Sequence, residues 1–191
     1  MKLSDFERDA LKEICNMGAS HAANSLSHMV NKKIMISIPE IMLTEPEKVY
    51  LDGIGVYLIA KGELSFALLL TFSRENALNL VDILMGRKLG TTKELDEMDI
   101  SAIHEVGNIL GSHFVNTFSD FLGFKIYVSP PNIIVNSDFN EILKIFESKD
   151  IKLLLMNTSF IESNNKVSGN LIVLSNAKTL NQIFDAISEK I

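Results

Sequence analysis

The chain repeats itself. Residues Asp9–Ile41 align without a gap on Ser101–Ile133, 92 positions later. Glu13 meets Glu105, Asn16 meets Asn108, and Ser20-His21 meets Ser112-His113. Further on, Asn24 meets Asn116, Ser27 meets Ser119, Lys33-Ile34 meets Lys125-Ile126, and Pro39 meets Pro131. Apolar positions agree in kind: Leu11 with Ile103, Ile14 with Val106, Met29 with Phe121. Chance rarely preserves both pattern and identity over such a span. A duplicated unit narrows the possible folds, because each copy must hide the same apolar face and its neighbour is the nearest cover. Shared ancestry alone explains retained identities, so the repeat by itself shows no function.

Both halves read the same way. A long helical pattern opens each, with Ser4 and Glu7 spaced as a capping box in the first. Thr91-Thr92 and the acidic run Glu94, Asp96, Glu97 and Asp99 suit the start of the second, where carboxylates meet the helix dipole. Asn31 and Gly123 are residues that end helices in the left-handed region. Strand-like runs follow: Ile34–Ile38, Gly55–Ala60 and Ser65–Phe72, then Lys125–Val128, Ile151–Ser159 and Ser168–Leu174. A shorter helix closes each half, Arg74–Met85 and Ala177–Glu189. Gly86–Thr92 reads as the connector, and Asn136–Ser148 as an extra short helix or edge loop. The expected fold is α+β. Pseudo-twofold duplicated helix–strand–strand–strand–helix units, roughly 4–86 and 96–190 of a single domain 1–191, share a mostly antiparallel sheet. Two long helices carry the candidate sites.

Composition bounds the function. The 191 residues are 47% hydrophobic and 22% charged, ordinary for a globular chain. A net charge of −6 without a Lys/Arg cluster argues against nucleic-acid binding. A single cysteine, Cys15, forbids an internal disulfide and suits a reducing compartment. The opening MKLSDFERDALKEI has no signal-peptide core, and the apolar run Phe66–Phe72 is too short to span a bilayer. A cytoplasmic protein that inserts into no membrane is expected.

Three polar residues on each long helix stand out. At about 100° per residue, Glu13 falls near 40° and Asn16 near −20° from Asp9. Leu11, Ile14, Gly18, Ala22 and Met29 centre on the opposite side. Asp9, Glu13 and Asn16 therefore form an outward ridge, repeated by Ser101, Glu105 and Asn108. Such a ridge is ordinarily just a solvated face. Asn, however, costs a helix roughly 0.5 kcal/mol relative to Ala, and here it recurs three residues after a Glu in both halves. Each Asn precedes a proline, Pro39 or Pro131, by the same separation, where strand termination is the expected role.

The double pattern resembles the signature of the CheC/CheX/FliY family of response-regulator phosphatases. That signature is Asp or Ser, three residues, Glu, two residues, Asn, twenty-two residues and Pro. Both copies match it: Asp9, Glu13, Asn16, Pro39 and Ser101, Glu105, Asn108, Pro131. Two copies are the CheC-type pattern. CheX-type members usually keep one, and FliY-type members add a flagellar-switch domain for which these residues leave no room. The resemblance implies hydrolysis of the aspartyl phosphate on a CheY-type chemotaxis regulator. Glu13, Asn16, Glu105 and Asn108 would be catalytic. Asp9, Ser101, Pro39 and Pro131 would be supporting. No cofactor of its own is implied, since the regulator brings the Mg²⁺. By that likeness the Asn amide orients water for in-line attack and the Glu pairs with the regulator's active-site Lys. The family's Glu-Ile-Gly-Asn run keeps its glycine as Gly107, but the first copy has Cys15. Helical geometry turns Cys15 about 240° from Asp9, towards the core. Packing explains it, although it could alter how the first helix approaches a partner.

Other constellations are weaker. His21, His28, His104 and His113 lack metal-ligand spacing, so packing or hydrogen bonding is the reading for them. Gly86–Gly90 lacks the spacing of a phosphate-binding loop. Phe114, Phe118, Phe121 and Phe124 read as core. The alternative function is a non-catalytic adaptor for a CheD-type receptor deamidase or for the flagellar switch.

Overall fold

The computed structural model describes residues 4–44, 53–135, 144, 151–162 and 165–190. Helix α1 (Asp5–Val30) leads into strands β1 (Ile34–Thr44), β2 (Ile54–Gly62) and β3 (Phe66–Phe72), and helix α2 (Arg74–Leu84) follows. The second half runs from helix α3 (Glu97–Leu122) through β4 (Ile126–Val128), β5 (Asn132–Val135), β6 (Ile151–Glu162) and β7 (Asn165–Asn176) to helix α4 (Ala177–Lys190).

The long helices begin and end on local chemistry. Ser4 Oγ accepts from Glu7 N–H at 3.2 Å, and the Glu7 carboxylate accepts from Ser4 N–H at 2.7 Å, which completes the expected capping box. At the other end Asn31 takes φ 52° and Gly123 φ 77°, the left-handed caps that close α1 and α3. Helix α3 starts within the expected acidic run. Its N-cap is Asp96, paired reciprocally with Asp99, not Thr91 or Thr92. Those threonines are held by the buried carboxylate of Asp82 instead: Thr91 N–H, Thr92 N–H and Thr92 Oγ1 donate to it at 2.9, 3.1 and 2.6 Å. A carboxylate removed from water needs several donors, and the connector supplies them.

Among the described residues seven strands form one sheet in the order β1-β6-β7-β3-β2-β4, with β5 also paired to β2. Every pairing among the described residues is antiparallel. The molecule is thus α+β, with all four helices contributing to the main core on one face of the sheet. That core holds Leu11, Ile14, Leu26, Ile103, Val106, Phe114, Phe118, Phe160 and Phe184. On the other face Ala67, Leu69, Ile134, Ile151, Leu153, Ile172 and Leu174 form a second buried cluster.

Strand β3 lies at the middle of the sheet and is buried at every residue, so it reads as a continuous apolar run rather than an alternating one. Several strands run further than the sequence pattern indicates. Strand β1 continues past Ile38 to Thr44, and the four-residue β5 is additional. Pro39 therefore does not terminate its strand. It sits inside β1, where the register against β6 shifts between Ser37 and Glu40. An edge strand tolerates proline at such an irregularity because no ladder donor is needed there. Pro131 does interrupt pairing, between β4 and β5. Phe114 and Phe118 are core, while Phe121 and Phe124 are partly buried against it. Met29, expected on the inner side, is 44% exposed, because the buried stripe of α1 ends at Leu26. Apart from Lys144, the expected element Asn136–Ser148 lies outside the described residues. Among the described residues no helix is long and apolar enough to cross a membrane.

Candidate functional site

Each ridge stands on the outer side of a helix whose inner side is fixed by packing. On α1 the buried positions Leu11, Ile14, Cys15, Gly18, Ala19 and Ala22 recur at three- and four-residue spacing. Asp9 and Glu13 are exposed on the opposite side, and Asn16 is half-buried between them and the core. On α3, Ser101 and Glu105 are exposed and Asn108 is half-buried. The two members of each Glu/Asn pair therefore share a helix face.

The two ridges differ in detail. Asn108 Nδ2 donates to Glu105 Oε2 at 3.4 Å, whereas among the described residues no bond joins Asn16 to Glu13. Instead the Asn16 carbonyl accepts from Ser20 Oγ at 2.8 Å. Near the second ridge, His104 Nε2 lies 3.1 Å from the Pro131 carbonyl. Proline cannot donate from its own nitrogen, but its carbonyl is a full acceptor. Pro131 is thereby tied to the flank of α3, one residue from Glu105. From sequence alone His104 has a packing or hydrogen-bonding reading without an identified partner, since the contact spans 27 residues.

The glycine-for-cysteine difference has a packing cause. A Cβ on Gly107 would lie 2.4 Å from Val56 Cγ1, and one on Gly111 would lie 2.1 Å from Leu58 Cδ1. Helix α3 therefore rests directly on β2. Helix α1 has Cys15 and Ala19 at the matching positions, both fully buried. Cys15 Sγ lies 3.3 Å from Met156 Sδ on β6, and burial pushes its thiol pKa well up. It faces the sheet and not the outward ridge. A neutral, enclosed thiol is a filler, not a nucleophile.

The helices meet each other near their middles. A Cβ on Gly18 would approach Phe114 Cα to 3.3 Å, so α1 and α3 pack closely there. Beside this crossing His113 Nε2 lies 2.7 Å from Ser25 Oγ, and the His21 and His113 rings meet edge to face at 6.1 Å. Burial, and then the neighbouring His21, hold the His113 pKa below its ordinary value. These histidines join the two helices, as a packing and hydrogen-bonding role requires. Met17, beside Asn16, is 43% exposed and passed unremarked in the sequence, where an apolar residue signals core rather than surface.

The arrangement offers amides and carboxylates on an open helical surface. An Asn side chain both donates and accepts, so it can hold a water while touching a second group. A carboxylate beside it suits a cationic partner. Asp9, Glu13, Ser101 and Glu105 are all exposed and so accessible to a molecule docking from solvent.

The profile of the CheC-like family matches residues 6–43 and 98–135. These segments contain both ridges and both prolines. The chain is 26% identical over 141 residues to the CheY-P phosphatase CheC of Bacillus subtilis, covering 69% of this chain and 67% of that protein. It is 27% identical over 153 residues to the flagellar motor switch phosphatase FliY of the same organism, covering 77% of this chain but 38% of FliY. Its fold matches the crystal structure of Thermotoga maritima FliY with a TM-score of 0.79, at 20% identity and over the full length of both chains. The chain is thus similar to the CheC-like family over both segments that carry a ridge.

Proposed function

We propose that the chain hydrolyses the aspartyl phosphate of a CheY-type response regulator. The observation that supports this best is the outward Glu/Asn pair present on both α1 and α3, within the segments that match the family. An acyl phosphate is already activated, so the work left to the enzyme is positioning and charge stabilisation. Asn16 or Asn108 enters the regulator's site, holds a water in line with the phosphorus and excludes bulk solvent. Half-burial limits the freedom of each amide before docking, which lowers the entropy cost of placing it. Glu13 or Glu105 pairs with a lysine of the regulator and sets the docking angle. Mg²⁺ comes with the regulator. Asp9 and Ser101 support the contact, and Pro131 steadies the loop beside α3. The reaction belongs in the cytoplasm, where such regulators act.

Phosphate release and complex formation, measured side by side with a phosphorylated regulator, test this reading. Stimulated release with turnover supports it. Stable complex formation without any acceleration of release would instead make the chain an adaptor. Glu13→Gln with Glu105→Gln should raise KM more than it lowers kcat, because docking loses its charge pairing.

A further inference from the structure

The second ridge is braced from outside its own helix. His104 and Asn108 are four residues apart on α3, so they are neighbours on one face, and both are half-buried. Helical side chains lean towards the N-terminus, which carries the Asn108 amide over the turn of His104 and Glu105. Its 3.4 Å bond to Glu105 Oε2 agrees with that lean. On its far side the His104 ring meets the Pro131 carbonyl at 3.1 Å. A carbonyl only accepts, so His104 carries a proton on Nε2 and donates it.

That carbonyl belongs to a loop held at both ends by β2, where Val128 pairs with Ala60 and Asn132 with Tyr57. Between them Ser129 N–H donates to the Ile59 carbonyl at 2.9 Å, and Ser129 Oγ accepts from Ile59 N–H at 3.0 Å. The Pro130 carbonyl accepts from Ser129 Oγ at 2.9 Å and from Asn132 Nδ2 at 3.3 Å. Two successive prolines also fix φ. The loop is therefore a stiff strut, fastened to the sheet by Ser129 and to α3 by His104. On α1 the residue matching His104 is Lys12, which is exposed, and Pro39 lies within β1 instead of a loop.

We propose that His104 is a positioning residue for the second ridge: by holding the Pro131 carbonyl it walls in the Asn108 amide and narrows the orientations that amide can take. This role rests on the phosphatase reading of the ridges. His104 touches neither the phosphoryl group nor the water. It acts through Asn108, so its effect falls on the chemical step and on one ridge only. Docking through Glu105 is left intact.

Decay of a phosphorylated CheY-type regulator is measured in two backgrounds. With Asn16→Ala, where only the second ridge works, His104→Leu should lower kcat about tenfold and leave KM little changed. His104→Gln, whose amide nitrogen reaches where Nε2 stood, should keep most of the activity. With Asn108→Ala, where only the first ridge works, His104→Leu should add no further loss. Side-chain amide ¹⁵N relaxation supplies a readout that needs no turnover: His104→Leu should loosen the Asn108 amide, His104→Gln should not, and the Asn16 amide should be indifferent to both. Full activity of His104→Leu in the first background, loss in both backgrounds, equal loss with Gln and Leu, or an Asn108 amide unmoved by His104→Leu would each overturn the role. Decay that ignores Asn16→Ala combined with Asn108→Ala would overturn the phosphatase reading instead, and amide relaxation would still decide whether His104 orders Asn108.

Discussion

At the scale of single residues, the outward amides depend on what lies beneath them. Gly107 lets α3 touch Val56, and Asn108 follows it directly. Gly107→Ala would overpack this contact at a cost of about 1–3 kcal/mol. It should lower the melting temperature by several degrees and reduce activity at the second ridge by displacing Asn108. A thermal melt and a phosphate-release assay check both outcomes. Cys15 makes the opposite point, filling its space against Met156. A thiol reagent should therefore label it slowly in the native protein and quickly after unfolding. The ridges themselves were legible in sequence, because helical periodicity alone separates Asn16 from Leu11 and Ile14. The contacts of His104, Cys15 and Gly18 were not, since each joins elements far apart in the chain.

At the scale of elements, the connector between α2 and α3 orients the second helix. Burial raises the Asp82 pKa, but hydrogen bonds from the Thr92 hydroxyl and from the Thr92, Thr91 and Gly90 backbone together hold it below the usual carboxylate value. Arg87 joins the same network, donating to Thr92 Oγ1 at 2.8 Å and to Asp99 Oδ1 at 2.9 Å. A carboxylate with a lowered folded pKa stabilises the protein above its unfolded value of about 3.9. That stability is lost as pH falls through the folded value. Asp82→Asn should destabilise the fold at neutral pH by about 1–3 kcal/mol. It should also flatten the acid side of the stability profile, as denaturant titration at several pH values would show. Propensity and capping predicted α1, α2 and α4 closely. They put the start of α3 in the stretch from Thr91 to Asp99, within which Asp96 is the cap and the threonines are taken up by the buried Asp82. The extension of β1 past Pro39 was hidden for a similar reason, since proline reads as a stop unless the strand lies at an edge.

At the scale of the whole molecule, α1 and α3 pack against each other, with a ridge on each. The seam between them contains the His21–His113 contact. Because His113 has a depressed folded pKa, its contribution is present above the unfolded value of about 6.5 and fades as pH falls through the folded value. His113→Gln should weaken that pH dependence in thermal melts between pH 7.5 and pH 5. The antiparallel α+β plan followed from the repeat and the strand patterns, whereas the strand order needed long-range pairing that no local pattern encodes. The central claim is that the two asparagines place the attacking water. Decay of a phosphorylated CheY-type regulator, followed with Asn16→Ala, Asn108→Ala and the double variant, tests it most directly. The double variant should lose stimulated decay, by roughly 10²-fold or more, while keeping its circular dichroism spectrum; decay as fast as with the parent protein would contradict the account.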